Sequence, residues 1–285
     1  MHPLVCIEEL AAHLDDPDWI VFDCRHDLAA PAAGEALYRA AHIPGARFAH
    51  LDRDLSSAKT GSDGRHPSGR HPLPARADFA AFLVAAGVNQ RSTLIACDAS
   101  SGLYASRLWW LGRWIGHAAV TVLDGGLVAW QGAGLPMTDN VPRPIAGDLR
   151  IGASPVSHVE TEDVEANLST QAMLVVDARA AERYRGEVEP LDPVAGHIPH
   201  AVNRPMARNL AADGRFKRAS ELRDDFDALL AGRDPDTLIH SCGSGVTACH
   251  NLLAMEVAGL RGASLYTGSW SAWCADPRRP VERGI

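Results

Sequence analysis

The sequence lacks an uninterrupted run of about 18 apolar residues, so it predicts no membrane-spanning helix. Its first residues, MHPLVCIEELAAHL, lack a basic segment followed by an apolar stretch, so no signal peptide is expected. No two cysteines are separated by two residues, which argues against a structural zinc site, and we predict neither a metal nor a cofactor. The chain has a net charge of −8 and contains no run of Lys or Arg, which argues against nucleic acid or an anionic membrane as its partner.

The 285 residues are enough for two domains, and their composition is that of a globular protein. Hydrophobic residues make up 46% of the chain and charged residues 22%, which allows a sizeable core. The spacing of the cysteines fits no disulfide framework, so we predict a cytoplasmic protein with reduced thiols. The six cysteines are Cys6, Cys24, Cys97, Cys242, Cys249 and Cys274.

Four short motifs occur in the same order in both halves of the chain. WIVFDCR, ending at Arg25, is similar to LVVDAR, ending at Arg179, and AAHIPGA around His42 is similar to AGHIPHA around His197. STLIACD pairs with DTLIHSC, and LDGGLVAW pairs with YTGSWSAW. Four matches in register indicate a duplicated domain. Features shared by both halves, such as the two histidines, are expected to serve the fold, whereas features of one half are candidates for function.

Short apolar runs alternate with amphipathic segments in each half, which predicts an α/β fold with mostly parallel sheets covered by helices on both faces. We divide the chain into domains at residues 1–140 and 156–285, with a Pro- and Gly-rich linker at 141–155. A polar, irregular stretch, Ser56–Pro74, accounts for roughly eleven extra residues in the first half. The predicted strands are Val21–Asp23, Thr93–Cys97, Thr121–Leu123, Leu174–Asp177, Thr237–Ser241 and Ala263–Tyr266, and the clearest helices are Ala75–Ala86 and Ser220–Ala231.

Cys242 follows a predicted strand and begins a loop of small residues, before a helix that is predicted to start near Thr247. Functional sites of parallel sheets lie beyond the carboxyl ends of the strands. Gly243 and Gly245 permit backbone conformations in which successive N–H groups point at one anion, and the helix N-terminus adds to this effect. Such surroundings favour the thiolate, which is the nucleophilic form of cysteine. We therefore predict an accessible nucleophile at Cys242, whereas its counterpart Asp98 cannot carry sulfur.

A cysteine cradled by amides after a strand also occurs in phosphatases, where an arginine six residues later grips the phosphate. That position is Ala248 in this chain, so phosphoryl transfer is not expected. Cys249 lies in the predicted helix, where we expect it to pack in the core.

The motifs CGSGVTA, HIPGA, GLYASRLWWLGRWIGH and DGGLVAW resemble those of the tandem rhodanese-domain sulfurtransferases, and the resemblance spans nearly the whole chain. It implies two tandem rhodanese-like domains, of which the first is non-catalytic. It also implies that Cys242 takes a sulfane sulfur from a small anionic donor and passes it to a thiol, cyanide or a thioredoxin-like acceptor. CGSGVTA resembles the loop of the 3-mercaptopyruvate branch, whereas thiosulfate-preferring rhodaneses usually carry basic residues there.

The resemblance also implies a donor site. Arg183, in RYRGEVEP, matches an arginine that binds the anionic group of the donor. The 3-mercaptopyruvate branch has a second arginine just after the EP dipeptide, where this chain has Leu191. The donor therefore stays open between 3-mercaptopyruvate and thiosulfate. The loop residues expected to line the substrate site are Gly243, Gly245, Val246 and Thr247.

A Ser–His–Asp relay is a further implication of the resemblance. Ser244 matches the serine of the loop, His71 in HPLP matches the histidine, and Asp52 in FAHLDRDL matches the aspartate. A histidine near the thiol can supply a proton to the leaving enolate, and an aspartate can orient that histidine. His66 lies in a similar HPSG context, which leaves it as an alternative to His71.

Two other classes of function are compatible with the sequence. In the first, Cys242 belongs to a sulfur carrier or redox sensor that accepts sulfur from a protein partner and turns over small donors poorly. In the second, the chain is a binding module without catalysis, which would require an unreactive Cys242. The intact cysteine loop favours an enzyme over both.

Overall fold

The computed structural model describes residues 2–61 and 64–285, which fold into two compact units. Unit 1 contains the residues up to Ser56, Pro74–Pro155 and Ala212–Phe216. Unit 2 contains Ser57–Leu73, Val156–Ala211 and Lys217–Ile285. Each half of the sequence therefore gives one short segment to the unit that is built mainly from the other half. The division predicted at residues 141–155 stays a prediction, and it did not include this exchange.

Unit 1 is built on a parallel sheet. Its strands are β1 (Leu4–Val5), β2 (Trp19–Asp23), β3 (Arg47–Phe48), β4 (Thr93–Cys97) and β5 (Val120–Leu123). Its helices are α1 (Ile7–Ala12), α2 (Ala33–Ala40), α3 (Arg76–Ala85), α4 (Ala105–Trp114) and α5 (Gly126–Gly132). The strand order is β1-β5-β4-β2-β3, and all neighbours are parallel. Every residue of the central strand β4 is buried, which explains its continuous apolar run.

Unit 2 repeats this topology. Its strands are β6 (Ser157–Val159), β7 (Leu174–Asp177), β8 (Val202–Asn203), β9 (Leu238–Ser241) and β10 (Ser264–Tyr266). Its helices are α6 (Thr161–Thr170), α7 (Ala181–Tyr184), α8 (Ala219–Leu230), α9 (Thr247–Val257) and α10 (Ser269–Trp273), with 3-10 turns at Met206–Asn209 and Pro235–Thr237. The order β6-β10-β9-β7-β8 is that of unit 1, again with parallel neighbours, so the predicted duplication and sheet type are confirmed.

The two histidines shared by the repeats have the same structural role. Nδ1 of His42 lies 2.7 Å from the carbonyl oxygen of Tyr38, and Nδ1 of His197 lies 2.7 Å from that of Tyr184. Each imidazole stacks on the ring of the same tyrosine, with centroids 4.1 Å and 3.7 Å apart respectively. Both histidines are buried. Their predicted role in the fold is confirmed.

The largest differences from the predicted elements lie at the edges of the sheets. Strands β3 and β8 have two residues each, which is too short for a periodic pattern to show. The predicted strand Thr237–Ser241 begins one residue later, because Thr237 closes a 3-10 turn. Within the described ranges, no helix is long and apolar enough to cross a membrane.

Candidate active site

Cys242 begins the loop that joins β9 to α9. All four residues of β9 are buried, and α9 starts at Thr247, as the sequence predicts. Val246 is buried at the helix boundary, whereas Thr247 is half-buried. The cysteine therefore lies at the carboxyl end of a central strand, where sites of parallel sheets are found.

Cys242 is buried, and its hydrogen-bond partners Ser269 and Trp270 belong to unit 2. The residue is 1% exposed, so the expectation of an accessible thiol is wrong for this conformation. Its backbone N–H donates to Oγ of Ser269 at 3.1 Å, and the same hydroxyl lies 4.0 Å from Sγ. Ser269 has a φ of +51°, which is uncommon for a residue with a side chain. The N–H of Trp270 then donates to the carbonyl oxygen of Cys242 at 3.0 Å, so the start of α10 covers the loop.

The backbone of the loop is held by contacts at Gly245. Its φ is +75°, and a Cβ there would collide with the carbonyl oxygen of Thr267. The thiol of Cys249 donates to the carbonyl oxygen of Gly245 at 3.3 Å. Cys249 and Ala248 are both fully buried, which agrees with packing roles for them. Gly245 is therefore needed at this position for its conformation and for its lack of a side chain.

Ser244 and His71 form a buried pair within unit 2. Oγ of Ser244 lies 2.7 Å from Nδ1 of His71, and both residues are less than 10% exposed. Their partnership depends on Ser57–Leu73, the segment that the first half of the sequence contributes to this unit. The structure thus brings together two of the three predicted relay residues.

Arg183 also reaches the loop. Both terminal nitrogens of its guanidinium group lie 3.6 Å from the position that a Cβ on Gly243 would occupy. The same group donates two hydrogen bonds to Glu189, from Nη2 to Oε1 at 2.6 Å and from Nε to Oε2 at 3.2 Å. A guanidinium group at this loop is suited to binding an anionic ligand.

Arg70 is a second cation at the loop, and the sequence analysis missed it. Its Nη2 lies 2.9 Å from the position of a Cβ on Gly243, and its Nη1 donates to the carboxylate of Asp192. Leu191, at the position of the expected second arginine, is 41% exposed. One signal was present in the sequence, because Arg70 directly precedes His71 in the stretch that has no counterpart in the second half.

Asp52 belongs to unit 1, where it lies beside two histidines. Ligand atoms of His26, His50 and Asp52 fall within 4.8 Å of one another, and all three residues are half-buried. Among the described residues this is the one group of His, Cys, Asp or Glu side chains close enough to share a metal ion. Nδ1 of His50 accepts the N–H of Asp52 at 3.1 Å, which occupies the lone pair that a metal would need on that nitrogen.

The counterpart of the cysteine loop in unit 1 shows an anion held by backbone amides. Oδ1 of Asp98 accepts N–H groups of Ser100 and Gly102 at 2.7 and 2.9 Å. Oδ2 accepts those of Tyr104 and Ala105 at 2.8 and 2.9 Å. This loop therefore forms a nest around a negative charge, of the kind predicted after Cys242.

Three other thiols lie in surroundings that keep them protonated. Burial raises the pKa of Cys24 and of Cys97 well above the ordinary value, and neighbouring aspartates add to the effect. Burial also raises the pKa of Cys274 to about 12. Protonated, buried thiols are poor nucleophiles, so none of these three cysteines is suited to nucleophilic chemistry.

Comparison with known proteins agrees with this architecture. Residues 7–133 and 160–276 each match the family described as Rhodanese-like domain. A probable 3-mercaptopyruvate sulfurtransferase of Pseudomonas aeruginosa is 45% identical over 99% of this chain and 98% of its own. A putative thiosulfate sulfurtransferase of Mycobacterium tuberculosis is 36% identical over 99% of this chain and 97% of its own.

A comparison with solved structures also finds 3-mercaptopyruvate sulfurtransferases. The crystal structure of a 3-mercaptopyruvate sulfurtransferase from Escherichia coli matches with a TM-score of 0.79 and 32% identity, over 95% of this chain and 99% of that one. The match covers both units of the chain. The resemblance inferred from the motifs is confirmed, and the chain belongs to the rhodanese-like family, with one such domain matched in each half.

Proposed function

We propose that this protein is a sulfurtransferase that moves a sulfane sulfur from 3-mercaptopyruvate to a thiol or cyanide through a persulfide on Cys242. One observation carries the proposal. The loop that begins with this cysteine contains Ser244, which pairs with His71 of the same unit. The guanidinium groups of Arg70 and Arg183 lie close to Gly243 of the same loop. The similarity to 3-mercaptopyruvate sulfurtransferases supports the choice of donor.

The reaction has two steps. The thiolate of Cys242 attacks the sulfur of the donor, an S–S bond forms, and the donor's C–S bond breaks with its electrons passing into the enolate of pyruvate. The donor's S–H proton stays on the outer sulfur, and the enolate takes a proton to become pyruvate. A thiolate or cyanide then attacks the outer sulfur, which releases the thiolate of Cys242 and gives a persulfide or thiocyanate.

Ser244 and His71 are proposed to assist the first step. The donor's carbonyl oxygen gains negative charge as the C–S bond breaks, and a hydroxyl paired with an imidazole can donate a hydrogen bond to it. The imidazole can replace the proton that the serine gives up. Asp52 is proposed as the third member of the relay on the basis of its motif. Asp52→Asn tests this assignment through the pH profile of kcat.

The arginines are suited to the donor's carboxylate. Arg183 matches the arginine expected from the motif, and Arg70 supplies a second guanidinium group although Leu191 replaces the expected one. The small residues Gly243, Gly245, Val246 and Thr247 are proposed to line the space for the donor. The acceptor, whether a small thiol, cyanide or a thioredoxin-like protein, and a cytoplasmic location remain predictions.

Thiosulfate is the alternative donor. Leu191 departs from the 3-mercaptopyruvate pattern, and the mycobacterial relative is named a putative thiosulfate sulfurtransferase. Thiosulfate would also transfer a sulfane sulfur to Cys242, and the rest of the donor would leave as sulfite. This step forms no enolate, so no enolate has to be protonated. The relay of Ser244 and His71 would then have no proton to supply.

The test is the intact mass of the protein after brief exposure to each donor, followed by peptide mapping. One added sulfur on the Cys242 peptide from 3-mercaptopyruvate, and less from thiosulfate, supports the proposal. Sulfur from thiosulfate alone would establish the alternative. No added sulfur from either donor would contradict both and favour a carrier or sensor. Cys242→Ser is the negative control, and Cys6→Ser, which alters an exposed thiol, is the matched positive one.

A further inference from the structure

Two guanidinium groups meet at one point of the cysteine loop. Relative to the Cβ position of Gly243, Arg70 places Nη2 at 2.9 Å and Arg183 places both terminal nitrogens at 3.6 Å. Their side chains are 12% and 18% exposed, so water screens them only partly. An anion entering this loop meets these two groups together.

One buried carboxylate lies against both groups. Oδ1 of Asp192 accepts a hydrogen bond from Arg70, and Oδ2 lies 3.6 Å from Nη2 of Arg183. The side chain of Asp192 is 1% exposed. Burial raises the pKa of Asp192, while Arg70 and Arg183 act to lower it. A carboxylate with so little access to water is held in place by its charged partners.

The positive charge of the arginines is largely offset within the unit. Glu189 pairs with Arg183 and also accepts a hydrogen bond from Arg179 at 3.2 Å. Arg179 in turn donates to Asp177 at 2.6 Å. The connected network therefore contains equal numbers of cations and anions. Its cations are Arg70, Arg179 and Arg183, and its anions are Asp177, Glu189 and Asp192.

We propose that Asp192 is a specificity-determining residue, which holds the two guanidinium groups at the loop and cancels enough of their charge to favour a singly charged donor over a doubly charged one. A monoanion such as 3-mercaptopyruvate is bound by the N–H groups of Arg70 and Arg183 with little excess charge. Thiosulfate, a dianion, brings a second negative charge next to a buried carboxylate that it cannot displace. The inference rests on the proposed function, because it concerns the donor of that same site.

Asp192→Asn tests this inference, because asparagine keeps the shape and one acceptor oxygen but removes the charge. We expect kcat/KM for thiosulfate, relative to that for 3-mercaptopyruvate, to rise about tenfold, mainly through a lower KM for thiosulfate. Glu187→Gln is the matched control, since Glu187 pairs with Arg185 in the same segment at an exposed position. A loss of activity that is equal for both donors would show that Asp192 only positions Arg70, and it would overturn the inference.

Binding of unreactive anions separates this inference from the proposed function. Calorimetric titration with sulfate and with pyruvate compares a dianion and a monoanion without any sulfur transfer. In Asp192→Asn we expect the affinity for sulfate to rise about tenfold and that for pyruvate to change about twofold or less. An unchanged preference, or the same change in Glu187→Gln, would refute the role of Asp192. Failure of the wild-type protein to accept sulfur from either donor would instead refute the proposed function.

Discussion

Nδ1 of His71 lies 2.7 Å from the hydroxyl oxygen of Ser244, although 173 positions of sequence separate the two residues. The pair exists because residues Ser57–Leu73 belong to unit 2. A histidine from the first half of the sequence thereby lies next to the loop that begins with Cys242 in the second half. Unit 2 consequently contains residues from both halves.

The pair can be tested with Ser244→Ala. We expect kcat with 3-mercaptopyruvate to fall about a hundredfold, because the developing enolate loses its hydrogen-bond donor. Turnover of thiosulfate should fall much less, since sulfite leaves without protonation. Steady-state kinetics with both donors measures the difference, and Ser169→Ala, at an exposed position of α6, is the control. Equal losses with the two donors would mean that the hydroxyl serves the loop's structure instead.

Gly245→Ala should destabilise the protein. The residue has a φ of +75°, and the added Cβ would meet the carbonyl oxygen of Thr267. We expect the free energy of unfolding to fall by about 1–3 kcal/mol. Urea denaturation followed by circular dichroism measures this, with Gly132→Ala as the control, since a Cβ there has no neighbour within 4 Å. A similar, near-zero change in both variants would show that the loop adapts without strain.

The exchanged segment should be essential to unit 2. Replacing residues 57–73 by a Gly/Ser linker of equal length removes His71 and Arg70, and also the packing of Gly69 on Gly268. We expect sulfur transfer to fall by more than about a hundredfold. Hydrogen exchange measured by mass spectrometry should show faster exchange around Gly268, while peptides of unit 1 serve as the internal reference. Unchanged exchange around Gly268 would mean that unit 2 is complete without the segment.

His240 should make the stability depend on pH. Burial lowers the pKa of this fully buried residue to about 3, and Arg204 adds to the effect. The unfolded chain binds this proton at about pH 6.5. Above that pH the uncharged, buried imidazole therefore contributes fully to the stability of the fold. This contribution is lost by about 1.4 kcal/mol per pH unit as the pH falls towards 3. Urea unfolding at pH 7, 6 and 5 should therefore show a steeper loss in the wild type than in His240→Gln.

The control for this experiment is His158→Gln, which alters an exposed histidine. It should follow the wild-type curve, because the substituted side chain lies at the surface and not in the core. Carboxylates contribute to the slope of all three proteins, so the comparison rests on the difference between variants. Parallel curves for wild type and His240→Gln would show that His240 takes up its proton in the folded protein.

The sequence predicted what local patterns specify. β4 and β7 were predicted with the bounds that the structure shows, because their apolar runs are continuous and fully or largely buried. The start of α9 at Thr247 followed from the small residues that precede it. His42 and His197 were recognised as structural because the repeat contains both.

The parts that sequence analysis missed depend on contacts between distant residues. Arg70 and Asp192 meet across 122 positions, and neither residue is unusual within its own segment. The backbone of Cys242 is hydrogen-bonded to Ser269, and no sequence pattern predicts the positive φ of that serine. The contribution of a segment from each half to the other unit likewise produces no periodic pattern in the sequence. Residues of this kind become visible only when the fold is known.

Because each half contributes a segment to the other unit, the order of synthesis limits when each unit can finish folding. During synthesis, residues 57–73 leave the ribosome long before β6, the first strand of the unit they belong to. Unit 1 in turn lacks Ala212–Phe216, with the hydrogen bond from the N–H of Phe216 to Asp124, until most of the chain has been made. Neither unit can therefore be completed from its own half of the nascent chain alone, and the contacts of the Cys242 loop form late in biosynthesis.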